Sequence, residues 1–132
     1  MAMAELAGLI RSAKGWDNTL RQIMLAGKVL STLPEHERTE SNYVKGCESD
    51  VWLKITMLDD QITVRAFSPS KIIRGVLAII IEKAETLTLS ELVDFDFEAY
   101  LSEIGMQRYL SESRGNGVTQ VVKAIQSPDS LP

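Results

Sequence analysis

Residues 51–67 read VWLKITMLDDQITVRAF. Val51, Leu53, Ile55 and Met57 fall on one side of a period of two, and Trp52, Lys54 and Thr56 fall on the other. Asp59-Asp60 interrupts the pattern, and Ile62, Val64 and Ala66 resume it. Two alternating runs around a polar turn predict a β-hairpin with one face on the core. Tyr43 and Val44, just upstream, are placed to add a short third strand. Trp52 points away from Val51 and Leu53, so it either seals the base of the preceding loop or packs under a helix.

Downstream of the hairpin, Ser68-Pro69 predicts a helix start, since serine caps and proline fits the first turn. The segment SKIIRGVLAIIIEKAE (70–85) carries isoleucine at helical positions and reads as the central buried helix. Gly75 within it costs about 1 kcal/mol against alanine, which predicts close packing there. Upstream, Trp16, Leu20, Ile23, Met24, Gly27 and Leu30 share one face of a helix that should stop near Leu33-Pro34. EHERTESN (35–42) reads as a polar loop. Segments 88–93, 97–104 and 112–126 read as shorter helices, and SPDSLP at the end should fray. The order helix, hairpin, helices gives an α+β class: a small antiparallel sheet of about three strands packed with helices.

The chain of 132 residues fits one domain, 1–132, with a core over about 15–126. Net charge is −4 and no dense Lys/Arg block occurs, so nucleic acid and anionic membrane are not expected partners. The single cysteine, Cys47, forms no internal disulfide and fits a cytoplasmic protein. The longest apolar run, 75–81, is far short of the roughly 20 residues a bilayer needs.

Most chemistry is missing. There is no phosphate-cradling glycine motif and no HExxH. One cysteine and one histidine cannot make a conventional zinc site, so no metal is expected. Asp94 and Asp96 read as a solvated helix boundary. His36 lies eleven positions before Cys47 in the polar loop, and a Cys47/His36 dyad would serve a thiol hydrolase. Cys47 could instead be a small structural side chain in a binding module. Its context, YVKGCESDVW (43–52), favours presentation: Gly46 frees the backbone, and polar residues crowd both sides. Glu48 and Asp50 oppose a thiolate, and Lys45, or an arginine brought from elsewhere, favours one.

GCESDVW resembles the G-C-x-S-x-V-W motif of the SufE/CsdE sulfur acceptor proteins. Leu33-Pro34 with Arg38 resembles that family's L-P-x-x-x-R segment, and IIRGVLAII resembles its I-V-[KR]-G-L-L-A helix. LSESRGNGV, with Ser113, Arg114 and Gly117, resembles its L-S-x-S-R-x-x-G-L segment. The resemblance covers about 15–126. It departs at Phe67-Ser68, where the family often has Asp-Ser, and at Val118, where leucine is usual.

The resemblance implies a SufE/IscU-like fold and a carrier rather than an enzyme. Such a protein takes a persulfide sulfur from a pyridoxal-phosphate cysteine desulfurase (SufS/CsdA-like). It stimulates that enzyme and passes the sulfur to a downstream acceptor or cluster scaffold, commonly for iron–sulfur assembly. Cys47 matches the acceptor, and Arg114 is the candidate for stabilising its thiolate or persulfide. Gly46, Glu48 and Ser49 match the loop that meets the partner. The carrier needs no cofactor of its own, because the pyridoxal phosphate is held by the desulfurase.

Overall fold

The computed structural model describes residues 5–45, 49–106 and 112–126, with residues 5 and 112–117 described by their helical backbone alone. The alternating stretch folds as its period dictates. Strand β1 (Trp52–Leu58) pairs antiparallel with β2 (Gln61–Phe67), in a register that sets Leu53 against Ala66 and Ile55 against Val64. Asp59 in the turn takes a left-handed φ of 57°, which aspartate tolerates through its short polar side chain. Val51, Leu53, Ile62, Val64 and Ala66 are buried. The stripe fades toward the turn, where Met57 and Leu58 are exposed.

The expected third strand is only a bridge. Tyr43 pairs with Trp52 at one edge, and Thr32 makes a parallel bridge to Ala66 at the other. Between them Pro34 begins a 3-10 turn at Glu35–Glu37, and a second turn follows at Glu40–Asn42. Proline cannot donate to a ladder, and the turns carry the chain off the sheet after one residue. Both bridges lie at the Trp52–Phe67 end of the hairpin, which is the end that receives the Cys47 loop.

Helix α1 (Glu5–Ser12) has no counterpart in the periodicity reading, yet it sends Ala7 and Ile10 into the core. Helix α2 (Trp16–Lys28) ends earlier than Leu33-Pro34. The Ala66 amide captures the Ser31 carbonyl at 3.0 Å and the Leu33 amide donates to the Ala66 carbonyl at 3.0 Å, so β2 takes this backbone away from the helix. The buried face of α2 is Thr19, Ile23 and Ala26, and buried Leu30 follows just past the end of the helix. Trp16, expected on that face, is 60% exposed, and Leu20 and Met24 are only half-buried.

The cause is the contact with α3 (Lys71–Ala84). A Cβ on Gly75 would stand 1.9 Å from the Ile23 carbonyl oxygen, and one on Gly27 would stand 3.0 Å from the Arg74 Cβ and the Gly75 amide nitrogen. Two helix backbones meet where side chains are absent, and this turns the Ile23–Ala26 edge of α2 onto α3. Helix α3 buries nine residues, as its composition predicts. It begins later than Ser68-Pro69: Ser70 is the cap, accepting from the Ile73 amide at 3.2 Å, while buried Ser68 accepts from the Ser70 amide. Pro69 therefore lies ahead of the helix, not in its first turn.

Helices α4 (Leu89–Asp94), α5 (Phe97–Glu103) and α6 (Glu112–Ile125) match the three short segments read from sequence. Thr88 and Glu91 form a reciprocal capping box on α4. Asp96 caps α5 by accepting from the Ala99 amide at 2.9 Å, which gives that carboxylate a structural role. Gln126 ties the end of α6 to the carbonyls of Leu92 and Phe95. The α+β class holds, with a sheet of two strands among the described residues instead of three. The terminal SPDSLP lies outside the described residues.

Candidate functional site

Gly46, Cys47 and Glu48 lie outside the described residues, as does the side chain of Arg114, whose backbone belongs to α6. The structure does describe the frame that carries the Cys47 loop. The Val44 amide donates to the Val51 carbonyl at 2.8 Å and closes residues 45–50 at their base. The Tyr43 hydroxyl donates to the Asp50 carboxylate at 2.9 Å across the same base. Val51 is 1% exposed, so the chain leaving the loop is fixed in the core one residue before β1 begins. Ser49 is half-buried beside this anchor, and Lys45 is exposed.

Trp52 sits under the frame on the outer face of the hairpin. Its ring meets Tyr43 edge-on at 5.6 Å and Phe67 at 6.3 Å. The Arg38 guanidinium lies 3.6 Å from the centre of the Phe67 ring, and its Nε donates to the Leu33 carbonyl at 2.9 Å. Arg74, from α3, stands 5.8 Å from the same ring. Of the two roles read from sequence, the ring contact with Tyr43 supports the first, at the base of the loop. Phe67, where the resembling family often has aspartate, here holds a cation over its ring face.

The segment 33–43 is pinned to the hairpin by Glu37. Its carboxylate accepts from Lys54 Nζ at 2.6 Å and from Arg65 Nη2 at 3.1 Å, while its backbone carbonyl accepts from Asn42 at 2.7 Å. Lys54 and Arg65 face each other in the β1–β2 register. Two like charges directly opposite on a sheet repel, and a carboxylate between them relieves that. The hydrogen bond from Lys54, reinforced by the charges of Arg65 and Lys54, holds the Glu37 carboxyl below its usual value of 4.5 against the opposing effect of desolvation.

A depressed carboxyl contributes stability above its unfolded value and loses it as pH falls through the folded one. The unfolding free-energy difference between the parent and Glu37→Gln should therefore hold steady near about pH 7 and shrink progressively below pH 4.5. Denaturant titrations of both proteins at several pH values check this. A difference unchanged down to about pH 3 would contradict the pinning.

His36 is exposed on the first 3-10 turn. Among the described residues no cluster of His, Cys, Asp and Glu could hold a metal ion, and no helix is long and apolar enough to cross a membrane. Sequence reasoning placed Tyr43 and Arg38 but missed the Tyr43–Asp50 clasp and Glu37. The signal for Glu37 lay in the hairpin register, which sets Lys54 opposite Arg65 and calls for an anion.

The model of the family described as SufE: Fe-S metabolism associated domain matches residues 4–128. The cysteine desulfuration protein SufE of Wigglesworthia glossinidia brevipalpis is 33% identical over 116 residues, which is 87% of this chain and 81% of that protein. The sulfur acceptor protein CsdE of Escherichia coli strain K12 is 32% identical over 111 residues, covering 83% of this chain and 76% of its own. The solution structure of a hypothetical protein from Thermus thermophilus aligns with a TM-score of 0.74 over 96% of this chain and 94% of that one, at 12% identity, a likeness of fold alone.

Proposed function

The chain belongs to the SufE family, and from that premise we propose that it is a cytoplasmic sulfur acceptor that loads a persulfide on Cys47. The donor is a pyridoxal-phosphate cysteine desulfurase, which the chain stimulates by clearing its sulfur. The observation that carries the reading is the place of the chain's one thiol. The described residues that flank it in sequence are clasped to each other, Val44 to Val51 and Tyr43 to Asp50, just ahead of the anchored start of β1. A base held by these bonds gives a partner a defined frame to meet, and no second thiol of the chain can attack the stored sulfur.

The chemistry is thiol exchange. The Cys47 thiolate attacks the outer sulfur of the donor persulfide. A new S–S bond forms at Cys47, the donor's S–S bond breaks, and the donor cysteine leaves as a thiolate. No external oxidant or reductant is consumed. Onward transfer repeats the exchange with the next acceptor, a use that suits iron–sulfur cluster assembly. The cofactor stays with the donor. Arg114, matched to the family's arginine, supplies positive charge that favours thiolate and persulfide at Cys47.

Steady-state alanine release by a cysteine desulfurase, with rising concentrations of the chain, tests the reading. Saturable stimulation is expected, and absence of stimulation with every desulfurase tried would overturn it. Arg114→Ala should slow sulfur transfer and raise the pH at which Cys47 alkylates. An unaltered alkylation profile would remove Arg114 from the site.

A further inference from the structure

The close crossing of α2 and α3 leaves apolar surface that the chain does not cover itself. Leu20 and Met24, one helical turn apart on α2, stay half-buried in a groove of about 440 Å³ that α2 and α3 line. Arg21 and Lys28 from α2, and Lys71 and Arg74 from α3, surround them, with Asp17 as the single carboxylate in the lining. A chain of net charge −4 thus concentrates four cations against one anion in one groove. Among the described residues none of the four makes an ion pair, and the buried Nε of Arg74 has no hydrogen-bond partner.

Leaving like charges unpaired beside apolar side chains costs stability, and only an acidic, apolar-anchored occupant would use both features. The groove follows α2 from Asp17 to Lys28, about 16 Å at the helical rise, room for one short segment of a partner. It is also continuous with the site. Arg74 lines it and stands 5.8 Å from the Phe67 ring, which meets Trp52, which meets Tyr43 at the base of the Cys47 loop.

We propose that the α2–α3 groove docks an acidic segment of the sulfur-donating desulfurase, with an apolar side chain seated on Leu20 and Met24 and carboxylates paired to Arg21, Lys28, Lys71 and Arg74. The proposal rests on the acceptor reading above. The groove supplies affinity and register, and Cys47 supplies the chemistry.

The test is Arg21→Glu/Lys71→Glu in the full chain, assayed by alanine release with the desulfurase that the parent stimulates. Both side chains are exposed, and a glutamate in the first turn of α3 suits the helix dipole, so the fold should survive. A circular dichroism melt checks that. The half-saturating concentration should rise at least about tenfold with the maximum stimulation retained, and its salt dependence should flatten. An unchanged half-saturation overturns the docking proposal and leaves the acceptor reading intact. A parent that stimulates no desulfurase overturns both. If the parent sediments as a dimer and the double variant as a monomer, the groove holds a second copy of the chain, and the proposal is likewise overturned.

Discussion

Cys47→Ser is expected to fold as the parent does and to lose all stimulation of the desulfurase. The substitution exchanges sulfur for oxygen at one side chain and alters none of the contacts that close the loop. The Val44–Val51 hydrogen bond is backbone to backbone, and the Tyr43–Asp50 bond lies outside the exchanged residue. The core anchor at Val51 is also untouched. A serine hydroxyl is not a thiolate at neutral pH and cannot form a persulfide, so exchange stops at its first step. The chain has no other cysteine to take over. Thermal melting and alanine release measured together separate loss of chemistry from loss of fold. A folded serine variant that stimulates as the parent does would make Cys47 a structural residue in a binding module.

Gly75→Ala is expected to cost at least about 2–3 kcal/mol of stability. In an ordinary helix the change would gain about 1 kcal/mol. Here the added Cβ would stand 1.9 Å from the backbone oxygen of Ile23 and 2.7 Å from its Cγ2. A side chain can rotate away from such a contact, but a helix backbone cannot, so α2 and α3 must separate along their crossing. Ile23 and Ala26 would lose the packing that buries them. The same movement would widen the groove and displace Arg74 from Phe67, so weaker stimulation should accompany the lost stability. Urea denaturation of parent and variant measures it. An alanine variant as stable as the parent would mean that the crossing is looser than the structure has it.

The hairpin was legible because its signal is local: alternation, two polar residues, alternation again. Helix α3 was legible because its run from Gly75 to Ile81 is apolar without interruption, so no choice of face arises there. Where the reading failed, a competing partner decided the outcome. Helix α2 presents Leu20 and Met24 as strongly as Ile23, and only Gly75, far along the chain, selects the face that is buried. The Leu33-Pro34 stop signal is real, but β2 claims the backbone at Ser31 and Leu33 before the chain reaches it. Ser68-Pro69 reads as the helix start, but Ser68 is buried under the fold and Ser70 caps the helix instead. The site divides in the same way. Cys47 is singled out by its motif and its solitude. The clasp from Tyr43 to Asp50 and the pin from Glu37 to Lys54 and Arg65 depend on how segment 33–43 crosses the hairpin, which no local pattern states.

The central claim is that sulfur from a desulfurase comes to rest on Cys47. Intact-mass measurement of the chain after incubation with a cysteine desulfurase and free cysteine, without reductant, tests it most directly, with peptide mapping to place the added mass. The account predicts a gain of one sulfur atom, confined to the peptide that contains Cys47, removed by a thiol reductant and absent from Cys47→Ser. A parent chain whose mass stays unchanged while the desulfurase is turning over and carries its own persulfide would contradict it.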